Sequence, residues 1–112
     1  MRTSIFIAAL VAVVSNAPLA AHAANPFPKF DIAKNCKAEV AENAGIGETL
    51  ESCTRDEEEA RQQLIPQWDH FSREDKANCI RETSLDGTPS YVELQTCLEM
   101  VDRNNARFQD KQ

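Results

Sequence analysis

Residues 35–39 read NCKAE and residues 78–82 read NCIRE, and each is followed by a second matching segment, LESC at 50–53 and LQTC at 94–97. One unit, N-C-x-x-E … L-x-x-C, is therefore written twice, and its fixed points are the four cysteines of the chain. Glycine lies between the two cysteines of each copy, and glycine tolerates the left-handed backbone that ends helices. The pattern predicts an all-α fold without a sheet, in which four helices form two tandem helical hairpins, each stapled by a disulfide.

The chain divides by composition into a leader, an arm, a helical domain and a tail. The predicted parts are a signal peptide at 1–23, an extended proline-rich arm at 24–30, a single helical domain at 31–105 and a frayed polar tail at 106–112. Within the domain, hairpin one covers about 31–71 and hairpin two about 72–105. Pro66 is expected to kink the second helix, and the alternative is that it ends that helix at Ile65.

Helix starts and inner faces are marked by side-chain type. Asp31, Ser72 and Ser90 are the predicted N-caps, and Ser90 with Glu93 has the sequence of a capping box. The predicted core is built from large side chains at helical intervals: Leu50, Leu64, Trp68, Phe71, Ile80, Tyr91, Leu94 and Leu98. Three further aromatic residues lie near the ends of the mature chain and are expected to be freer to form a contact surface: Phe27, Phe30 and Phe108.

The first 23 residues have the features of a secretory signal: a cation at Arg2, an apolar stretch at 5–14 and the A-x-A sequence at 21–23. The apolar stretch is about half as long as the roughly 20 residues that a membrane span needs. We therefore expect cleavage after Ala23, a periplasmic or secreted location, and no membrane insertion of the mature protein.

Cleavage would leave 89 of the 112 residues and would remove only Arg2 from the charge count. The 18 acidic residues would then face 11 basic ones, which gives a net charge of −7. An anionic surface repels phosphate backbones, so nucleic-acid binding is not expected. A domain of this size buries only about 60–65% of its unfolded surface and commonly depends on disulfides.

Four cysteines allow three pairings. Helix geometry favours Cys36–Cys53 with Cys79–Cys97, because the two cysteines of each copy then lie within about 3–5 Å of matching heights across a glycine turn. A nested pairing, Cys53–Cys79 with Cys36–Cys97, would follow if the chain reversed at Pro66. The crossed pairing is the third possibility. Each hairpin disulfide would close a loop of about 15–20 residues.

Residues with catalytic or metal-binding chemistry are few. The sequence has no C-x-x-C motif for redox, haem or zinc chemistry, and no G-x-S-x-G or S-x-x-K motif for a serine nucleophile. Asp69, His70 and Glu74 are weak candidates for a metal site, but a solvated histidine at a helix end is favoured. The acidic run at 56–59 is expected to be a charged face near a helix N-terminus, and the alternative is that it attracts a cation or a basic partner. We predict no catalytic residues, no metal and no cofactor.

Residues 56–100 resemble small four-cysteine exported proteins of Gram-negative bacteria. The similarity lies in EAR at 59–61, Trp68, Phe71, Cys79, PSYVEL at 89–94 and CLEM at 97–100. It implies a periplasmic location and the same disulfide pattern, and it implies no particular activity.

These features favour a non-enzymatic exported binding or interaction protein, with a protein partner and an oligomeric state that the sequence leaves open. The alternative is a periplasmic acid-stress chaperone. Eighteen carboxylates and one histidine in the mature chain imply a large swing in charge as the medium acidifies. A small enzyme or a metal-binding protein ranks below both.

Overall fold

Helices account for most of residues 25–44 and 47–112, the part of the chain that the structure, a computed structural model, describes. Within these residues the chain forms no strand, and the elements are α1 (Ile32–Glu42), α2 (Leu50–Leu64), a 3₁₀ helix (Ile65–His70), α3 (Arg73–Thr83) and α4 (Tyr91–Asp110). The all-α prediction is confirmed. The predicted signal peptide at 1–23, Ala24 of the arm and the turn residue Gly45 lie outside the described residues.

Two disulfides join the helices in the predicted pairing, Cys36–Cys53 between α1 and α2 and Cys79–Cys97 between α3 and α4. The nested and crossed pairings are therefore wrong. Hairpin one is the α1–α2 pair and hairpin two is the α3–α4 pair, and they meet where α2 packs against α4. Gly87 turns hairpin two with a φ of +83°, the left-handed backbone that glycine adopts without strain.

All three predicted N-caps are confirmed. The side-chain oxygens of Asp31, Ser72 and Ser90 each accept a hydrogen bond from the backbone N–H three residues later, at 3.0–3.2 Å. A reciprocal capping box forms instead at the start of α2, where Thr49 and Ser52 each bond the other's backbone N–H. The expected reciprocal bond from the Ser90 N–H to Glu93 does not form, because the Ser90 N–H donates to Thr83 Oγ1 instead.

Pro66 ends α2 rather than kinking it, so the predicted kink is wrong. The last residue of α2 is Leu64, and Pro66 lies in the first turn of the 3₁₀ helix, where its missing N–H needs no partner. Leu64, Trp68 and Phe71 are nevertheless all buried in one core.

The helix α4 extends five residues beyond the predicted end at Asn105 and includes most of the predicted tail at 106–112. Residues 102–110 contain neither glycine nor proline, so nothing in the sequence breaks the helix there. Asn105 Nδ2 donates to Asp75 Oδ2 at 3.3 Å, which ties this part of α4 to the start of α3. Every residue after Val101 is exposed. No helix among the described residues is both long enough and apolar enough to cross a membrane.

The core lies between α2, α3, α4 and the 3₁₀ helix and contains most of the predicted side chains. Two predictions differ: Leu50 is 49% exposed and Ile80 is only partly buried. Leu50 is the first residue of α2, whereas its counterpart Leu94 lies one turn inside α4, which packs against both α2 and α3. Equivalent positions of the two sequence units therefore differ in burial.

The arm is extended, as its prolines predict, and it lies across the core. The ring of Phe30 lies 4.7 Å from that of Tyr91, and the ring of Phe27 lies 5.1 Å from that of Trp68. The expectation that Phe27 and Phe30 are free contact residues is wrong, because both cover buried aromatic rings. Phe108, in contrast, is 71% exposed.

Tyr91 fixes this arm by one hydroxyl group, which accepts from the Phe30 N–H and donates to the Pro28 carbonyl, both at 2.9 Å. We expect Tyr91→Phe to leave the helices folded while loosening the arm, because both bonds are lost and the core ring is kept. Chymotrypsin should then cut after Phe30 several times faster than in the parent, as measured by mass spectrometry. Phe108→Leu is the matched control, and equal cleavage of Tyr91→Phe and parent would contradict the prediction.

Candidate functional site

Glu57 is the most unusual polar residue of the fold, because its carboxylate is buried between the two hairpins with only 1% of the residue exposed. It projects from α2 onto the N-terminus of α4. Its oxygens accept hydrogen bonds from the Ser90 hydroxyl, from the Tyr91 N–H at 2.7 Å and from the Val92 N–H at 3.4 Å. The first N–H groups of a helix have no partner within the helix and carry its positive dipole end, so a carboxylate is well suited to this position.

For Glu57, the prediction of an exposed charged face over residues 56–59 is therefore wrong, while Asp56, Glu58 and Glu59 are exposed as predicted. The prediction was that all four acidic residues form a charged face near the N-terminus of α2. The available signal was spacing, because Glu57 continues the buried positions Cys53, Ala60 and Leu64 on one face of α2.

A polar network extends from Glu57 to the end of α3. The Ser90 N–H donates to Thr83 Oγ1 at 3.0 Å, and the Thr83 hydroxyl lies 2.8 Å from Glu93 Oε2, to which it donates. Thr83 thus accepts the hydrogen bond from the Ser90 N–H that Glu93 would accept in a capping box. We call Glu57, Thr83, Ser90 and Glu93 the junction cluster, since it links α2, α3 and α4.

Next to the junction cluster lies a small acidic pocket of about 120 Å³, which we define by Glu39, Glu48, Asp56 and Glu57 together with Cys53 and Val92. Burial raises the pKa of Glu39 above its ordinary value of 4.5, and the neighbouring charges of Glu48, Glu57, Glu93 and Glu42 raise this pKa further. No lysine or arginine lines the pocket.

The raised pKa of Glu39 has a measurable consequence for stability. The folded state holds the Glu39 proton to a higher pH than the unfolded chain does, so the contribution of Glu39 to the free energy of unfolding falls as the pH rises from about 4.5. We expect Glu39→Gln to raise the free energy of unfolding at pH 7 by up to about 1 kcal/mol, since the group is partly hydrated. Near pH 3 the two proteins should be equally stable.

Urea unfolding at both pH values checks this, with Glu99→Gln on the exposed side of α4 as the control. A gain for Glu39→Gln that is equal at pH 3 and pH 7 would show that relief of charge repulsion is not its cause.

Beside the acidic pocket runs a groove of about 390 Å³, which we call the α4 groove. Its lining includes Glu82 and Thr83 from α3, and Val92, Glu93, Thr96 and Met100 from α4, with Cys97 beside them. Val92, Thr96 and Met100 lie four residues apart on one face of α4, and Val92 and Met100 are 40% and 58% exposed. Val92 lines both cavities, so the groove and the acidic pocket adjoin each other at this residue.

Each disulfide contacts one glutamate of the repeated unit. Glu39 Oε2 lies 3.1 Å from Cys53 Sγ, and Glu82 Oε2 lies 3.4 Å from Cys97 Sγ. Cys36, Glu39 and Cys53 are also the one set of three potential metal-ligating side chains that the described residues bring together. Both sulfurs are held in a disulfide, so neither supplies the thiolate that a metal ion needs.

The weak metal candidates Asp69, His70 and Glu74 do not converge. His70 Nε2 lies 3.4 Å from Asp102 Oδ1 on α4, and all three candidate side chains are exposed. Among the described residues, no group of potential ligands includes them. His70 instead joins the 3₁₀ helix to α4.

The α4 groove and the acidic pocket are therefore the surface on which a function is best sought. Comparison of the chain with models of protein families, with curated proteins and with solved structures found no match.

Proposed function

We infer that this protein is an exported, non-enzymatic interaction protein that binds a segment of a partner protein in its α4 groove. The observation that carries this proposal is the partly exposed apolar row Val92, Thr96 and Met100, held on a helix that packs against both α2 and α3. Concave apolar surfaces on rigid elements are the usual sites of helix or peptide binding.

The proposal includes a periplasmic location. It rests on the signal-like sequence of residues 1–23 and on two disulfides, which persist in oxidising compartments. The polar residues beside the groove have structural partners: Thr83, Ser90 and Glu93 are bonded to one another and Ser90 to Glu57. These bonds support a structural role for these side chains.

Site-specific photocrosslinking tests the binding surface directly. A photoreactive amino acid at position 96, in the groove, should crosslink to another polypeptide when the protein is exported by a Gram-negative host. The same amino acid at position 108, an exposed apolar position outside the groove, should give little product. Introducing Met100→Ser should remove the product at position 96. Equal crosslinking at 96 and 108, or persistence in Met100→Ser, would refute the proposal.

A second function, that of an acid-responsive chaperone, is favoured by one specific observation: a buried carboxylate joins the two hairpins. The Glu57 carboxylate accepts hydrogen bonds from three donors at the start of α4. Loss of these bonds would separate α2 from α4 and expose apolar core surface.

This function predicts that an aggregation-prone client is protected near pH 3 and not at pH 7. The loosened variant Glu57→Gln should protect the client at pH 7 as well, while Glu58→Gln should not. Aggregation that is the same with and without the protein at both pH values would eliminate the chaperone function.

A further inference from the structure

Charge around the α4 groove distinguishes this surface from an ordinary apolar patch. Its lining includes Glu82 from α3 and Glu93 from α4, and the acidic pocket that adjoins it at Val92 adds Glu39, Glu48 and Asp56. No lysine or arginine lines either cavity. Asp56 is paired with Arg55 at 3.7 Å, but among the described residues no ion pair includes Glu39, Glu48, Glu82 or Glu93, so these four carboxylates can face a bound segment.

The shared electrostatic field of these carboxylates is visible at Glu39. After burial, the charges of Glu48 in the acidic pocket and Glu93 in the α4 groove both raise the pKa of Glu39, so carboxylates of both cavities act on the same group. A cationic group placed there would relieve the mutual repulsion of several carboxylates. An anionic segment would add to it.

The dimensions of the apolar row limit the occupant. Val92 and Met100 are eight residues apart on α4, which is about 12 Å along the helix. That length matches roughly two turns of a partner helix with apolar residues at i, i+3 or i+4, and i+7.

We propose that the occupant of the α4 groove is a cationic amphipathic helical segment of a partner protein, with its apolar side on Val92, Thr96 and Met100 and its lysine or arginine side chains on the surrounding carboxylates. This inference rests on the proposed function and adds the chemical class of the partner. Complementary charge would raise the rate of association and select the partner, while the apolar row would hold it in place.

The experiment uses two labelled peptides of about 14 residues, roughly 20 Å as a helix. One is an amphipathic leucine–lysine helix, and the other has every lysine replaced by glutamate. Fluorescence anisotropy at pH 7 and low salt measures their binding to the full mature protein. We expect the lysine peptide to bind at least about tenfold more tightly than the glutamate peptide and to lose affinity as salt is raised.

Variants of the protein show where the lysine peptide binds. Met100→Ser and the double variant Glu48→Gln with Glu82→Gln should each weaken the lysine peptide about fivefold or more, since one removes apolar contact and the other removes charge. Phe108→Ser and Glu74→Gln change an exposed apolar residue and an exposed acid outside the groove and should have no effect. All these positions are solvent-accessible, and circular dichroism confirms that each variant is folded.

The possible outcomes separate a failure of the cationic-partner inference from a failure of the proposed function. Equal affinity for the two peptides, with the Met100 effect intact, would overturn the cationic partner and leave the groove as the binding surface. Binding of an oligolysine without leucine as tight as that of the amphipathic peptide would overturn the amphipathic requirement. An unchanged affinity in Met100→Ser would overturn the groove as the site of the cationic peptide, and crosslinking at position 96 would then decide the proposed function separately.

Discussion

Removing the Cys79–Cys97 disulfide is expected to lower the free energy of unfolding by about 3 kcal/mol or more. The bond closes a loop with a sequence separation of 18, for which the loop-entropy relation gives about 3 kcal/mol. Cys79 also belongs to the core between α2, α3 and α4, so its loss removes packing as well. Cys79→Ala with Cys97→Ala should therefore unfold the domain globally at a much lower urea concentration than the parent.

Removing Cys36–Cys53 should have a similar cost, with a sequence separation of 17, but a more local effect. Among the described helices, α1 packs against α2. Two hydrogen bonds also join α1 to the turn before α4: Asn35 Nδ2 donates to the Thr88 carbonyl, and Lys34 Nζ donates to the Gly87 carbonyl. Hydrogen exchange should show α1 amides opening first in Cys36→Ala with Cys53→Ala, while α4 amides keep their protection.

The two disulfides together contribute about 6 kcal/mol, which is close to the whole stability expected of a domain of this size. Full reduction should consequently leave the protein largely unfolded at room temperature, as seen by circular dichroism. A fully reduced protein that still unfolds cooperatively with a loss of less than about 1 kcal/mol would contradict this account of its stability.

The repeated unit predicted the architecture because its cysteines limit which helices can pair. With one cysteine per helix at matching distances from a glycine turn, the helical rise favoured the pairing Cys36–Cys53 and Cys79–Cys97 over the nested one, which needed a chain reversal at Pro66. The caps at Asp31, Ser72 and Ser90 were predictable for a similar reason, since an N-cap depends on residues within three positions along the chain.

Features that depend on contacts between distant residues were not predictable in this way. The burial of Glu57 depends on where the N-terminus of α4 falls on α2, 34 residues away in sequence. The docking of the arm depends equally on Tyr91, 61 residues from Phe30. The α4 groove was missed because Val92, Thr96 and Met100 form a helical row that the sequence cannot distinguish from a buried one.

Substitution of Glu57 is also expected to have a large effect on the free energy of unfolding. Glu57→Leu should lower the free energy of unfolding by about 3 kcal/mol or more, because three donors at the start of α4 lose their buried acceptor. Glu57→Gln keeps the shape and one acceptor oxygen but turns an amide N–H₂ toward these donors, and should cost about 1.5–3 kcal/mol. Glu58→Leu and Glu58→Gln, at the next residue on the exposed side of α2, should change stability by no more than about 0.5 kcal/mol.

A double-mutant cycle with Ser90→Ala separates the buried hydrogen bond from simple packing. If the Ser90 hydroxyl and the Glu57 carboxylate stabilise each other, the two substitutions combined should cost less than the sum of the single ones by about 1 kcal/mol or more. Urea unfolding with both disulfides intact supplies all four free energies. Strict additivity, or a Glu57→Gln variant as stable as the parent, would mean that the methylene groups of Glu57 matter and its charge does not. The carboxylate could then no longer be the group that holds the two hairpins together.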